Sequence, residues 1–506
     1  MKSLDDAKCG RRIVDNCSGF LRVLNVIIQI VKTGCLVVGQ SVYRNDPSNF
    51  IDLGGGILGC RGLFSSFRAL QSGLYLNHDV SASTILKNLR IKVKHLHSKF
   101  KISGLSEKPC KEQKFSLKLG EAREGGSMIR SIETTVYDYF VSTRGIELNF
   151  SANLPCINAG TPSKPVFFPI EMCFVVPLQK NKKELTVYQK SAMMVKSRQK
   201  PEDFIKVLDD DVKRFKLEDE PLFQSCGISI SNSFVQAEGR ILTPPKLVLG
   251  NREHIIPKNG WWNIKDKKFM EPTRLENWAI VKFSTCCDVK KMCQELAKIS
   301  SAKGMDSLFK PMSQHEDAGI IRELLMEFYS SSGQKKPAQI VIFRSGLSTS
   351  QFKQMLEVEL DQILKACNFL EEKWRPKFTV LVSQRRHHTK FFDAISGANV
   401  TPGTIVDSKV CDIECTNFYM CAHAARIGTL RPTHYHVLLN EIGFSLDDLQ
   451  ELINSLSNVF QRSNNAISEV APVRYARLAA AKISQVIEHD KMPKVHKNLS
   501  SSMFFI

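Results

Sequence analysis

Sulfur and imidazole groups that suit a zinc ion are concentrated in one stretch of the C-terminal half. This stretch contains Cys411, Cys415, Cys421 and His423. Zinc binds cysteine and histidine readily, but structural sites usually supply these ligands as closely spaced pairs. The spacing here matches none of the common patterns, and Cys421 and His423 fall in or beside a predicted strand. We therefore expect no zinc at these four residues.

Two further histidine pairs have the right groups for ligand binding. His434 and His436 are two residues apart, so on a strand both rings lie on the same face of the sheet. That arrangement suits either a pair of ligands or a pair of packing groups. His387 and His388 are adjacent, and they suit either RNA contact or a structural role.

The charge of the chain favours a polyanionic partner. The sequence has 506 residues, a formal net charge of +19 and an isoelectric point of about 9.3. Its 43% hydrophobic and 24% charged residues are typical of a globular protein with large cores, and the length predicts several domains. RNA or DNA is the expected partner. The alternative is a basic protein without a nucleic-acid partner.

Neither a secretory signal nor a membrane span is predicted. The first residues contain acids and lack an uninterrupted apolar core. The most apolar stretch, residues 20–38, contains Arg22 and Lys32 and repeats its apolar residues at helical spacing, which indicates an amphipathic helix. The 15 cysteines follow no disulfide pattern, so we expect reduced thiols in a nuclear or cytosolic compartment.

The pattern of secondary structure changes along the chain. A helix is predicted at residues 16–39 and short strands at residues 61–80. Short strands punctuated by Pro and Gly follow to residue 188, which suggests a small barrel. Further strands are expected at residues 226–283 and a helix at 288–310. From residue 315, longer helices alternate with strands and predict an α/β layer fold.

The α/β region contains a motif with a known counterpart. Residues 344–352 read Arg-Ser-Gly-Leu-Ser-Thr-Ser-Gln-Phe and follow a strand-like run. They resemble the PIWI signature of argonautes, which reads Arg-Asp-Gly-Val-Ser-Glu-Ser-Gln-Phe. Other segments resemble the same family in the same order: residues 60–68 and 226–228 its linkers, 135–140, 153–158 and 169–173 its PAZ domain, and 386–390, 402–404, 428–438 and 475–476 its PIWI domain.

The resemblance implies a multidomain α/β protein with a small PAZ-like β-barrel and an incomplete RNase H-like PIWI lobe. We expect a remnant of the N domain and the start of linker 1 at residues 1–39, linker 1 at 40–86, the PAZ-like domain at 87–190, linker 2 at 191–276, a remnant of MID at 277–304, the C-terminal part of PIWI at 305–490, and a tail at 491–506. Residues 444–452 and 502–505 are similar to the plant clade that binds heterochromatic small RNAs.

The same resemblance implies that RNA cleavage is lost. The family holds two Mg²⁺ ions with Asp, Glu, Asp and a final His or Asp. Ser345 stands at the third position and Arg477 at the last, and no Glu occurs near residues 305–307. The strand with the first Asp is absent, because residue 303 is followed directly by a later PIWI segment. Asp79 lies in a linker sequence and is not its replacement. We expect no metal and no cofactor.

The residues expected to bind RNA come from three places. Phe100 and Tyr139 correspond to PAZ aromatics around the guide 3′ end, and Arg144 stands at a neighbouring position where it could pair with phosphate. Phe100 suits the barrel core equally well. The other candidates are basic residues, with a solvated surface as the alternative: Arg385, Arg386 and Lys390 along the backbone, and Lys482 near the 5′ phosphate.

The expected function is that of a non-cleaving argonaute-like protein in RNA-mediated gene silencing. It would bind a small guide RNA and complementary RNA, possess silencing partner proteins, and act in the nucleus and/or cytoplasm, as in RNA-directed DNA methylation. One alternative is a truncated, non-functional relic or the product of an incorrect gene model, because missing strands would expose backbone and apolar surface. A further alternative is an active slicer.

Overall fold

The structure is a computed structural model. It describes residues 14–31, 35–44, 47–54, 57–86, 90–94, 96–120, 129–161, 164–176, 179–180, 184–231, 233–270, 320–412 and 415–483. The strand expected at residues 278–283, the helix expected at 288–310 and the segment around residues 305–307 lie outside these ranges. Among the helices described, none is long and apolar enough to cross a bilayer.

The N-terminal region combines one helix with a sheet. Helix α1 (Val14–Val31) packs Leu24, Ile27 and Ile28 onto the sheet. The strands are β1 (Leu36–Val38), β2 (Ser41–Tyr43), β3 (Phe50–Asp52), β4 (Ile57–Leu70) and β5 (Gly73–Leu86). They pair in the order β1-β2-β4-β5, with β3 also on β4. Strand β14 (Gln179–Lys180) extends the sheet beyond β5.

The prediction of short strands at residues 61–80 is wrong, because β4 and β5 are a single hairpin of two 14-residue strands. Gly62 lies within β4, where an added Cβ would come within 2.4 Å of the Val42 carbonyl oxygen of β2. Glycine here permits close strand approach and does not interrupt the strand.

The PAZ-like region has a shared core without a closed barrel. Its strands are β6 (Arg90–Val93), β7 (Leu96–Lys101), β8 (Gly104–Pro109), β9 (Lys114–Gly120), β10 (Ile129–Thr135), β11 (Pro155–Asn158), β12 (Phe167–Phe168) and β13 (Cys173–Val175). In the described residues they form sheets β7-β6-β13 and β8-β11-β12 and the hairpin β9-β10. The expected closure is therefore wrong: the strands are short, and irregular pairing at Val93 and Pro155 interrupts the ladders.

Helices connect this region to the C-terminal lobe. They are α2 (Val187–Ser197), α3 (Pro201–Phe215) and α4 (Pro221–Ser225). Of the strands expected after residue 226, the described part contains only β15 (Arg240–Ile241), β16 (Leu247–Val248) and β17 (His254–Ile255). Each is two residues long.

The C-terminal lobe is a six-stranded sheet between two pairs of helices. Its strands are β18 (Gln339–Ser345), β19 (Lys377–Gln384), β20 (Thr404–Val406), β21 (Asn417–Cys421) and β22 (Thr433–Asn440), together with β15. The order is β15-β20-β21-β22-β19-β18, and only β18 and β19 are parallel. The helices are α5 (Ile320–Ser331), α6 (Leu360–Leu370), α7 (Leu446–Ser457) and α8 (Ala471–Ile483).

Side chains alternate between the two faces of this sheet, as the two-residue period of a strand requires. Phe378, Val380 and Val382 of β19 pack with α5 and α6. Leu381 packs on the other face with α7 and α8. The predicted α/β layers are thus confirmed. Because of this alternation, the two faces of the sheet carry different sets of side chains.

Candidate functional site

The structure brings together the two positions that the sequence assigned to a lost metal site. Ser345 ends β18, and Arg477 lies on α8. The Arg477 Nη2 donates a hydrogen bond of 3.1 Å to the Ser345 Oγ. One hydrogen bond therefore joins two residues that are 132 positions apart in the sequence.

A buried carboxylate completes this group. Glu469 is 0% exposed, and it accepts hydrogen bonds from both terminal nitrogens of Arg477. Ser383, which pairs with Ser345 in the sheet, donates from its Oγ to the Glu469 Oε1 at 3.0 Å. We call Ser345, Ser383, Glu469 and Arg477 the arginine–glutamate centre. A bidentate guanidinium–carboxylate pair is strong and geometrically specific.

The surroundings of this centre are rich in positive charge. Arg385 follows β19 and is half-buried, and burial lowers its pKa, while Glu469 acts in the opposite direction. Arg474 and Arg477 also lower the pKa of Arg385. A divalent cation entering here would have to displace a guanidinium and overcome like-charge repulsion. Ser345 offers only a neutral oxygen, which is a poor ligand for Mg²⁺.

Glu469 was not found from the sequence. It lies in the run Ile-Ser-Glu-Val-Ala-Pro at residues 467–472, between an apolar residue and the start of α8. An isolated acid beside buried positions must be paired when it is inside a protein. The sequence signal that could have identified Glu469 was therefore a single acid among apolar neighbours.

The PAZ-like region places Tyr139 and Arg144 in direct contact. The Arg144 Nε donates to the Tyr139 Oη at 2.8 Å, and the guanidinium carbon lies 5.4 Å from the centre of the Tyr139 ring. Tyr139 is half-buried and Arg144 is exposed. Phe115 meets Tyr139 edge-on with the ring centres 5.4 Å apart. A phenol and an exposed guanidinium thus lie side by side on the surface.

Phe100 takes a different position. It is half-buried against the PAZ-like core, and its ring centre lies 4.9 Å from that of Phe168. This contact suits the core interpretation that the sequence left open. Part of the ring remains exposed, so its role with RNA stays a prediction.

The basic cluster predicted at residues 385–390 is divided by the structure. Arg385 lies near the arginine–glutamate centre, Arg386 is exposed, and Lys390 is buried in an ion pair with Asp79 of β5. The Lys390 side chain is 9% exposed and that of Asp79 is 2% exposed. Burial lowers the pKa of Lys390, and Asp79 opposes this. The three cations therefore do not form one surface.

Asp79 serves as a link between the N-terminal hairpin and the C-terminal lobe. Its other oxygen lies 2.8 Å from the His388 Nδ1, and the His388 ring stacks on Phe64 at 3.5 Å. Burial raises the pKa of Asp79, but the contacts with His388 and Lys390 outweigh it and leave the pKa lowered. The assignment of Asp79 to a linker remains compatible with this structural role.

A cavity of about 450 Å³ borders the same ion pair. Arg61, Arg198, Lys390 and Arg431 line it together with Asp79. Phosphate would find positive side chains there, although Lys390 already has a carboxylate partner. Lys482 lies apart from this cavity, exposed in the last turn of α8.

The four residues first considered for zinc do not converge. The Cys411 Sγ contacts the Val406 carbonyl at 3.6 Å, while the His423 Nδ1 is buried without a hydrogen-bond partner. Within the described residues, a different group of three has donor atoms within 4.8 Å of one another: Asp412, His434 and His436. The expectation of no metal did not consider Asp412.

His387, which is outside that group, is packed inside the fold. The His387 Nε2 lies 2.9 Å from the Pro432 carbonyl oxygen, and its ring is edge-on to Tyr419. Burial lowers the pKa of His387 to about 4. His387 is therefore neutral at pH 7 and inside the fold.

Comparison with known proteins finds three family matches along the chain. Residues 37–87 match the Argonaute linker 1 domain, residues 70–194 the PAZ domain, and residues 256–488 the Piwi domain. Protein argonaute 4A of Oryza sativa subsp. japonica is 37% identical, with 97% of this chain and 78% of the relative covered. The chain belongs to the argonaute family of small-RNA-binding proteins.

Other plant argonautes are similar over comparable lengths. Protein argonaute 4 of Arabidopsis thaliana is 36% identical, with 97% of this chain and 77% of the relative covered. Protein argonaute 9 of the same plant is 33% identical, with 100% of this chain and 80% of the relative covered. The predicted resemblance to plant argonautes is thereby confirmed.

Solved structures support the same fold for this argonaute. A Kluyveromyces polysporus Argonaute with a guide RNA aligns with a TM-score of 0.71 at 15% identity, over 93% of this chain and 80% of that one. Drosophila Piwi aligns with a TM-score of 0.60, also at 15% identity, over 94% of this chain and 84% of that one. The RNase H-like PIWI lobe is thus present as a fold.

Proposed function

We propose that this argonaute binds a small guide RNA and complementary RNA but does not cleave, and that it acts in RNA-mediated gene silencing through partner proteins. Its similarity to plant argonautes favours a role in RNA-directed DNA methylation, in the nucleus and/or cytoplasm. Cleavage would require carboxylates that hold two metal ions. Binding requires only a surface for phosphate and bases.

The arginine–glutamate centre carries this proposal. Arg477 fills the space beside Ser345 with a positive charge, and Glu469 is already engaged by that charge and by Ser383. A two-metal site needs several negative ligands facing one another. The one buried carboxylate at this centre is neutralised internally. The geometry therefore favours a stable ion pair over a pair of magnesium ions.

Tyr139 and Arg144 support the binding half of the proposal. The Tyr139 ring is half-buried, so part of it is available to stack, and Arg144 carries an exposed positive charge next to it. A terminal nucleotide presents both a flat base and a phosphate. The net charge of +19 supplies long-range attraction to RNA.

The extent of the chain supports the loss of internal segments relative to its relatives. The alignment with rice argonaute 4A runs over 710 residues, whereas this chain has 506. In the described part of the sheet, β18 forms one edge, next to the position expected for the absent strand. We infer that internal segments corresponding to most of MID and the start of PIWI are missing.

The proposal can be tested by binding and cleavage in the same reaction. Purified full chain is mixed with labelled single-stranded RNA of guide length, and then with a matched target in Mg²⁺ or Mn²⁺. We expect saturable binding that weakens as salt rises, with an intact target. Salt-independent binding or a cut target would contradict the proposal. Aggregated protein without a cooperative melting transition would favour the non-functional relic instead.

A further inference from the structure

The sheet face opposite the arginine–glutamate centre gathers a second set of polar groups. His434 and His436 of β22 lie on this face, and they are 2% and 0% exposed. Their ring centres are 4.0 Å apart. Asp412, in the loop between β20 and β21, brings its carboxylate within 4.8 Å of one nitrogen of each ring. Ligand atoms of two imidazoles and one carboxylate thus lie close together.

Asn417 fixes the loop that supplies Asp412. Its Nδ2 donates to the carbonyl oxygens of Asp412 and Cys415, and its Oδ1 accepts from the Asp412 backbone N–H at 3.1 Å. These three bonds hold the loop against β21. The two donated bonds also establish which side of the amide is oxygen.

This orientation decides the tautomer of His434. The Asn417 Oδ1 lies 2.8 Å from the His434 Nε2, so this nitrogen must carry the proton and donate it. The Nδ1 of His434 is left with its lone pair. A metal-binding imidazole commonly donates its second N–H to an oxygen in this manner.

His436 has the same arrangement with a different partner. Gln384 donates through its Nε2 to the Leu347 carbonyl, so its Oε1 is an acceptor and lies 3.3 Å from the His436 Nε2. The His436 Nδ1 therefore has the lone pair, and the Cys415 Sγ lies 3.5 Å from it. This contact is a thiol–imidazole hydrogen bond, and Cys415 is outside the group of three ligand atoms that lie within 4.8 Å of one another.

We propose that Asp412, His434 and His436 form a zinc-binding site that anchors Asp412 to the sheet. Zinc accepts nitrogen and oxygen donors in a tetrahedral arrangement with bonds of about 2.0–2.2 Å. Such bonds bring neighbouring donors to roughly 3.3–3.6 Å from one another. The ligand atoms of the three residues lie within 4.8 Å of one another, so they have to close in slightly around the ion.

This site is separate from the function proposed above. It lies on the α5–α6 face, whereas Ser345 and Arg477 lie on the α7–α8 face. Its three ligands also differ from Cys411, Cys415, Cys421 and His423, the four residues first considered for zinc, since the two sets share no member. The outcome of a zinc test therefore does not depend on RNA binding or cleavage.

Zinc content and cobalt absorption of the purified full chain test the proposal. After dialysis against a weak chelator, we expect one zinc per chain. Replacement by Co²⁺ should give the visible bands of a tetrahedral site. The variant His436→Gln should lower zinc affinity at least about tenfold.

Two controls separate ligand loss from misfolding. His423→Gln removes another buried histidine and should leave the zinc content and the spectrum unchanged. Asp412→Asn keeps the shape of the loop and should still lower zinc affinity at least about tenfold while the cooperative melting transition is retained. Absence of zinc and of a cobalt spectrum in the unmodified chain would overturn the proposal. Equal zinc content in the unmodified chain and in the double variant His434→Gln/His436→Gln would do so as well.

Discussion

Two arginines of this argonaute lie in opposite electrostatic surroundings. Arg477 is held by the fully buried Glu469 and contacts Ser345. Arg144 donates only to the neutral phenol of Tyr139, and no ion pair with it is found among the described residues. An arginine with an internal carboxylate contributes to the fold, whereas an exposed arginine without one can attract phosphate. We therefore expect a change at Arg477, whose side chain is 43% exposed but paired with a buried carboxylate, to affect stability, and a change at Arg144 to affect RNA binding.

The largest expected effect comes from removing Arg477. Arg477→Leu leaves the buried Glu469 without its cation, and we expect the free energy of unfolding to fall by about 3 kcal/mol. The matched variant Arg144→Leu removes an exposed guanidinium and should change stability by less than about 0.5 kcal/mol. Urea denaturation measures both values. Equal losses in the free energy of unfolding for the two variants would contradict the expected difference between the two arginines.

A second variant distinguishes the ion pair from general damage to α8. If Arg477→Leu acts through the unpaired carboxylate, the double variant Arg477→Leu/Glu469→Leu should be more stable than the single one, because no buried charge remains. The coupling follows from a double-mutant cycle with Glu469→Leu. A double variant at least as unstable as the sum of the single variants would show that the two residues act independently.

Tyr139 should produce the next largest effect, on RNA instead of stability. Tyr139→Ala removes the aromatic face, and we expect guide binding to weaken by about 1–3 kcal/mol. Tyr188→Ala is the matched control, since Tyr188 is a highly exposed tyrosine of α2 outside the PAZ-like core. Arg477→Leu should leave the affinity of the folded protein unchanged. Filter binding with labelled RNA measures these affinities, and identical losses at both tyrosines would refute the Tyr139 site.

The smallest effect concerns the salt dependence of binding. Arg144→Gln and Arg386→Gln each remove an exposed charge, so each should reduce the slope of log affinity against log salt by about 1 if it contacts phosphate. A slope that stays constant in both variants would place the phosphate contacts elsewhere. Titrations at several salt concentrations provide the slopes.

The sequence predicted some of these relations and could not predict others. Ser345 and Arg477 were associated through the resemblance of their motifs, and His434 and His436 were placed on one face by their spacing. Glu469 and Asp412 lie in connecting segments, where no period relates a side chain to a distant partner. The division of residues 385–390 depends on Asp79 of another region, which local sequence does not reveal.

Cleavage of a matched target is the most direct measurement of the central claim, which is that the arginine–glutamate centre replaces a two-metal site. Purified full chain is loaded with guide RNA and incubated with labelled target and Mg²⁺ or Mn²⁺. We predict an intact target, both for the unmodified chain and for Ser345→Asp/Arg477→His, because the other carboxylates are still missing. Metal-dependent scission of the target at one defined phosphodiester by the unmodified chain would contradict the account.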